Sequence, residues 1–472
     1  MLKNHGDEVV NMAFLFIGIW FSILGFIFIL AHLCGISMRK ITTPQIFLGL
    51  SLIMSFLGYP ILFFQLNEYR KAIGLTDPEL IMKATLASGW SIIGVIIIYR
   101  LLISLSSKSS KKLVRSEKSK HDSSDLIAPD IYRSNKVYNT FWFIVLIVCF
   151  FVLIAYLSKV QNIALLEAFA GGNVAQARSL MTNDFKGSHH WYRLFFYDLS
   201  WLSSLALFAG ALQFNSRRVW MLFGLSFFFV SFCLLMTAQK APMIFYLGTL
   251  FLLYSLLKNN GVISIRSLVL LFVMSVIILV PMYFYFMGRS DLLSALNSIV
   301  SRGFTGQLSG AYNYQWIFPQ QVDYLSGRSF PNPKGLLPFE HFPLSKEVMA
   351  MMHPQLMERG IVGSQPTIYW GEVYANFGWI GVFVAPIYVG IFIFFCNWLI
   401  SIIKEPIMRG TATVWIGFHL GKFAYSGFSW SLLPLTIGIG FITIFCWCLI
   451  TTFIKQILIL ISGRNQKVQG VL

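Results

Sequence analysis

The sequence predicts an all-α polytopic membrane protein of about 11 (10–12) transmembrane helices with one large outer (periplasmic) loop containing short helices. Three observations predict it. Of 472 residues, 56% are hydrophobic and only 12% charged, about half the charged fraction of an ordinary soluble domain. Apolar runs of about 20 residues, long enough to cross a hydrocarbon core, recur along the chain. Lys and Arg gather in alternate connections between those runs, the pattern that orients membrane helices. The low charge excludes a water-soluble enzyme of this size, and 45 Phe exclude intrinsic disorder.

In order, the runs fall at 9–34, 43–66, 82–105, 137–158, 192–214, 219–238, 241–257, 265–287, 379–402, 411–428 and 432–454. The first has no basic segment before it and no small-residue cleavage site after it, so it is read as a retained span. The connection after it carries Arg39 and Lys40, which places that connection in the cytoplasm and the N-terminus outside. Alternation then puts 106–136 inside, with Lys108, Lys111, Lys112, Arg115, Lys118, Lys120, Arg133 and Lys136. This Ser/Lys-rich stretch is a solvated loop, either a topology signal or a contact for anionic headgroups. The C-terminus falls inside. Twenty Lys/Arg against five Asp/Glu then lie within, and sixteen against fourteen outside. The net charge of +17 is thus an orientation signal, and no nucleic-acid partner is implied.

The chain divides into 1–287, spans one to eight with the basic loop; 288–378, a periplasmic loop subdomain; and 379–472, spans nine to eleven with a cytoplasmic tail. The loop holds seven of the 16 prolines together with many aromatics, among them Tyr312, Trp316 and Trp370, which points to folded short helices rather than disorder. The six cysteines all lie in or beside apolar stretches and are expected to be buried free thiols. No HExxH, CxxC, GxxxxGK[ST] or GxSxG occurs, so neither a metal nor a nucleotide cofactor is expected.

Ionisable groups in or at the edge of spans are costly and default to functional candidates. Asp198 has Lys83 or Lys422 as candidate partners, and Arg100 can snorkel to the inner face. His419 lies mid-span, as a packing residue or a site. Lys240 stands in a tight Gln239-Lys240-Ala241-Pro242 turn, projecting into an outer vestibule or anchoring the interface. Arg289 and Arg302 flank 291–300, which reads as a short helix; two guanidinium groups there suit a diphosphate clamp or pairing with loop carboxylates. Glu372 enters an apolar, aromatic setting near the bilayer surface, where it suits general acid or base work, or capping or ion pairing. His341 and His353 are alternative bases.

The runs Gln239-Lys240-Ala241-Pro242, Gly363-Ser364-Gln365-Pro366 and Gly371-Glu372-Val373-Tyr374-Ala375-Asn376-Phe377-Gly378, with about eleven spans and a large late outer loop, resemble the Wzy-type O-antigen polymerases, bacterial oligosaccharide repeat-unit polymerases. The resemblance implies a metal-independent, cofactor-free glycosyltransferase of the bacterial inner membrane. It would use undecaprenyl-diphosphate-linked oligosaccharide, with a chain-length regulator and a flippase as further partners. Glu372, Arg302 and Arg289 would then be catalytic, and Lys240, Tyr374, Trp370, Trp316, Lys422 and His341 substrate-binding. The aromatics would lie against sugar rings or form an interfacial belt. An O-antigen ligase or a lipid-linked oligosaccharide flippase are the alternatives. A flippase should line a cavity with charge at several depths, whereas these candidates cluster at the outer edge.

Overall fold

The computed structural model describes residues 2–66, 76–109, 135–182, 184–185, 187–287, 291–358 and 363–469. Most of the basic 106–136 loop, and Arg289, lie outside the described residues. The helices are α1 (Leu2–Leu33), α2 (Thr43–Ser55), α3 (Tyr59–Phe63), α4 (Pro78–Ser109), α5 (Asn135–Leu157), α6 (Ala164–Ala170), α7 (Val174–Met181), α8 (His189–Arg193), α9 (Ser200–Phe214), α10 (Arg217–Leu235), α11 (Ala241–Lys258), α12 (Ile265–Met287), α13 (Leu292–Ile317), α14 (Leu344–Met352), α15 (Pro354–Glu358), α16 (Tyr369–Ile402), α17 (Pro406–Leu420) and α18 (Leu435–Gln469). Local chemistry sets their ends. Thr42 caps α2 by accepting from the Gln45 N–H, Asn173 caps α7 through Gln176, and Asp291 caps α13 through Ser294.

Nine helical segments among the described residues are long and apolar enough to cross a membrane, and this is a polytopic helical membrane protein. They match nine of the eleven runs read from the sequence. Of the other two, the run at 265–287 is helical over its whole length as α12, with Ile265–Pro281 a shorter apolar helix among the described residues. The run at 411–428 breaks, because α17 stops at Leu420 and a 3-10 turn, Gly421–Ala424, follows.

The chain forms two units, each with its own core. The first comprises Met1–Ser106, Ser264–Asn397 and Gly417–Pro434. Here α13 departs from expectation: the helix starting after Asp291 runs 26 residues to Ile317, not ten. From Leu308 to Gln315 every residue is buried. Glycine permits this passage, because a Cβ on Gly310 would collide with the Pro366 carbonyl, and one on Gly58 with the Phe304 carbonyl. Polar side chains bind the rest: Ser88 Oγ accepts from Trp370 Nε1 at 2.9 Å and shares a hydrogen bond with the Tyr59 hydroxyl, also at 2.9 Å.

The second unit comprises Ser107–Ile263, Trp398–Ile416 and Leu435–Leu472. Its centre is α9, packed on α5, α10 and α11. Trp201 Nε1 donates to Thr249 Oγ1 at 2.9 Å, and Ser204 bonds both Ser226 and Tyr246. A π-helical stretch, Leu194–Leu199, precedes α9 and carries buried Asp198. A satellite cluster gathers Tyr156, Ala164, Ala177, Met181, Met236 and Ala238, joining α6 and α7 to the turn after α10.

Candidate functional site

The first unit builds its site at a break in α16. Gly378 takes φ 61°, ψ −149°, a conformation essentially reserved for glycine. The nine residues Tyr369–Phe377 therefore form a separate half-helix, and their last carbonyls lose the partners that a continuous helix would supply. The turn at 325–327 supplies replacements. Leu325 and Ser326 N–H donate to the Ala375 and Asn376 carbonyls, each at 3.0 Å, and Gly327 N–H donates to Asn376 Oδ1 at 2.9 Å. A broken helix in an apolar segment is tolerated where protein re-satisfies the backbone, and such breaks recur at membrane binding sites.

Glu372 stands in the first turn of this half-helix and is 4% exposed. Its Oε1 accepts from the Ser329 hydroxyl at 2.7 Å and its Oε2 from the Ser429 N–H at 2.8 Å. Asn376, one turn on, donates to both Ser329 Oγ and the Glu372 carbonyl at 2.8 Å. The Ser329 hydroxyl thus accepts from Asn376 and commits its own proton to Glu372. Gly427 lets the third segment approach, since a Cβ there would collide with Oε2. The Ser429 hydroxyl and the Phe428 backbone also act on this carboxylate, so its roughly four acceptor positions are closely held and an incoming hydroxyl has to displace one of these donors. On α13, burial pushes the Tyr314 phenol up, with the Glu372 charge as a second cause, which places α13 beside this carboxylate.

The other candidates scatter. Tyr374 is buried and donates to the Phe318 carbonyl at 3.2 Å, with its ring edge-on to Tyr324. Trp370 is fully buried on Ser88, so it offers no face to a sugar ring; its indole holds α16 to α4. Trp316 is 41% exposed near the end of α13 and Arg302 is exposed on the same helix. His341 is exposed, with Nδ1 at 3.1 Å from the Phe330 carbonyl. Lys422 lies in the 3-10 turn after α17, with Nζ 5.9 Å from the Trp430 ring centre. Lys240 belongs to the second unit, at the N-cap of α11.

Other expectations are corrected. Lys83 pairs with Glu79 at 2.6 Å, one turn away. Asp198 Oδ2 accepts from Thr436 Oγ1 at 3.1 Å, while Oδ1 has no hydrogen-bond partner among the described residues. Cys446 is exposed and Cys34 and Cys448 are half-buried, whereas Cys149, Cys233 and Cys396 are buried as expected. Sequence reasoning gave no role to Ser329, Ser429 or Asn376. The available signal for Asn376 was its i+4 spacing from Glu372 on a helix; the serines come from distant turns. Comparison with protein families, curated proteins and solved structures finds no match to this chain.

Proposed function

We propose that this protein is a membrane-embedded glycosyltransferase that polymerises undecaprenyl-diphosphate-linked oligosaccharide repeat units on the outer face of a bacterial inner membrane. The observation that carries the reading is Glu372, a buried carboxylate at a broken apolar helix, held by hydroxyl and amide donors. In this reaction a hydroxyl of the new lipid-linked unit attacks the anomeric carbon of the growing glycan. A glycosidic C–O bond forms, the bond from that carbon to the lipid diphosphate breaks, and the hydroxyl proton passes to Glu372. The leaving diphosphate takes the bonding electron pair. Arg302, exposed on α13, supplies positive charge for it, with Arg289 as the second arginine of the reading. Lys240, at the N-cap of α11, is read separately as a cation for an anionic oxygen of a lipid-linked substrate.

The test is deletion followed by gel analysis of surface glycan. Single-repeat products on the core support a polymerase. Unmodified core with accumulated lipid-linked polymer supports a ligase, and lipid-linked single units held in the cytoplasm support a flippase. Complementation with Glu372→Gln or Arg302→Ala is expected to leave single repeats, and normal chain lengths from these variants would refute the site assignment.

A further inference from the structure

The turn that carries Lys240 is gripped from outside its own helices. Arg178 of α7 donates Nε–H to the Thr237 carbonyl and Nη2–H to the Ala238 carbonyl, both at 2.9 Å. Leu165 N–H of α6 donates to the Met236 carbonyl at 3.0 Å. Three successive carbonyls after the end of α10 are thus taken by the 164–181 segment. The grip holds a conformation that the chain does not favour, because Ala238 sits at φ 53°, where a Cβ is crowded by the following carbonyl. Met236 and Ala238 are also sealed against Ala164, Ala177 and Met181. Two residues on, Lys240 is the N-cap of α11, with Pro242 fixing the first turn. Between the clamped carbonyls and that turn only Gln239 and the Lys240 backbone remain to be oriented.

We infer that Arg178 is a positioning residue whose bidentate grip on Thr237 and Ala238 holds in place the backbone from which Lys240 extends to an anionic oxygen of the lipid-linked substrate. The substrate clause rests on the function proposed above; the grip does not. Arginine suits the task because its planar fork meets two acceptors at once, which a lysine cannot do.

The experiment uses the full chain in lipid nanodiscs, its six native cysteines replaced by alanine and a nitroxide attached at Lys240→Cys. Arg178→Ala is expected to shorten the label's rotational correlation time severalfold, with Arg178→Lys intermediate; an unchanged spectrum in Arg178→Ala overturns the clamp. Should Arg178→Ala not fold, the same reading is taken from Arg178→Lys. In the label-free chain, Arg178→Ala is expected to raise KM for lipid-linked repeat units about tenfold with kcat little changed, and to add nothing in a Lys240→Ala background. A loosened label with unchanged KM overturns the role given to Lys240. A wild-type chain that elongates no repeat units defeats the proposed function instead, and leaves the label result standing.

Discussion

Replacing Gly378 by alanine tests the broken helix directly. At φ 61°, ψ −149° a residue with a Cβ is strained by about 1–3 kcal/mol. The added methyl would lie 2.8 Å from Tyr324 Cζ and 2.9 Å from its hydroxyl, so the ring must move. That ring meets Tyr374 edge-on, with centroids 5.9 Å apart, and losing such a pair costs about 0.5–1.5 kcal/mol. The expected loss is about 2–4 kcal/mol. It is measured by tryptophan fluorescence during reversible unfolding in mixed micelles with increasing SDS. Gly248→Ala is the control: it lies inside α11 with nothing within 4 Å of a new Cβ, and should be neutral or stabilising by about 0.5–1 kcal/mol. If Gly378→Ala behaves like Gly248→Ala, the break is not a strained, glycine-dependent feature and the account of the site fails.

Ser329→Ala and Asn376→Ala should each destabilise by about 1–3 kcal/mol, since each leaves a buried polar group without its partner. The double variant should cost less than the two together by about 1 kcal/mol, because Asn376 and Glu372 meet through the Ser329 hydroxyl; additivity in the same assay would remove the chain of hydrogen bonds. Glu405 caps α17 with Oε1 on the Ile407 N–H and Oε2 on the Met408 N–H, outside the nine spans, and burial pushes its carboxyl up to about 7. Its folded value lies above the unfolded one, so the folded state binds more protons between them. The contribution of this group to stability is therefore fully present at low pH and is lost as pH rises through about 7, by up to about 3 kcal/mol. Glu405→Gln should flatten the melting midpoint between pH 5 and 8, and an unflattened slope would assign the dependence elsewhere.

Hydropathy was enough to place nine spans, because lipid-facing and buried apolar residues give the same signal over 20 residues. It missed α13 beyond Val300. Between Ser301 and Ala311 the residues are mostly small or polar and carry little hydropathy, yet Gly310 lets the Pro366 carbonyl approach so closely that a Cβ would collide with it. Glu372 was legible from its acidic side chain in an apolar run, and Gly378 closed the quoted motif. The three-segment hydrogen-bond set was not, because Ser329 and Ser429 reach Glu372 from 43 and 57 residues away. Trp370 and Trp316 show the same limit in reverse: both are tryptophans of one loop, and only the packing around Ser88 separates the buried one from the exposed one.

The pairing of the 325–327 turn with the end of the half-helix also sets an order of events during synthesis. Leu325 precedes its partner Ala375 by about 50 residues, which a ribosome takes about 3–10 s to make. Throughout that interval the Leu325 and Ser326 N–H groups lack their eventual partners and need water or another acceptor. The turn gains its partners only once Tyr369–Phe377 has emerged, and their meeting lets the half-helix end at Gly378 with the Ala375 and Asn376 carbonyls paired. The long apolar segment that follows, 379–402, can enter lipid on its own hydropathy. The nine residues before it depend on a docking step that follows their synthesis.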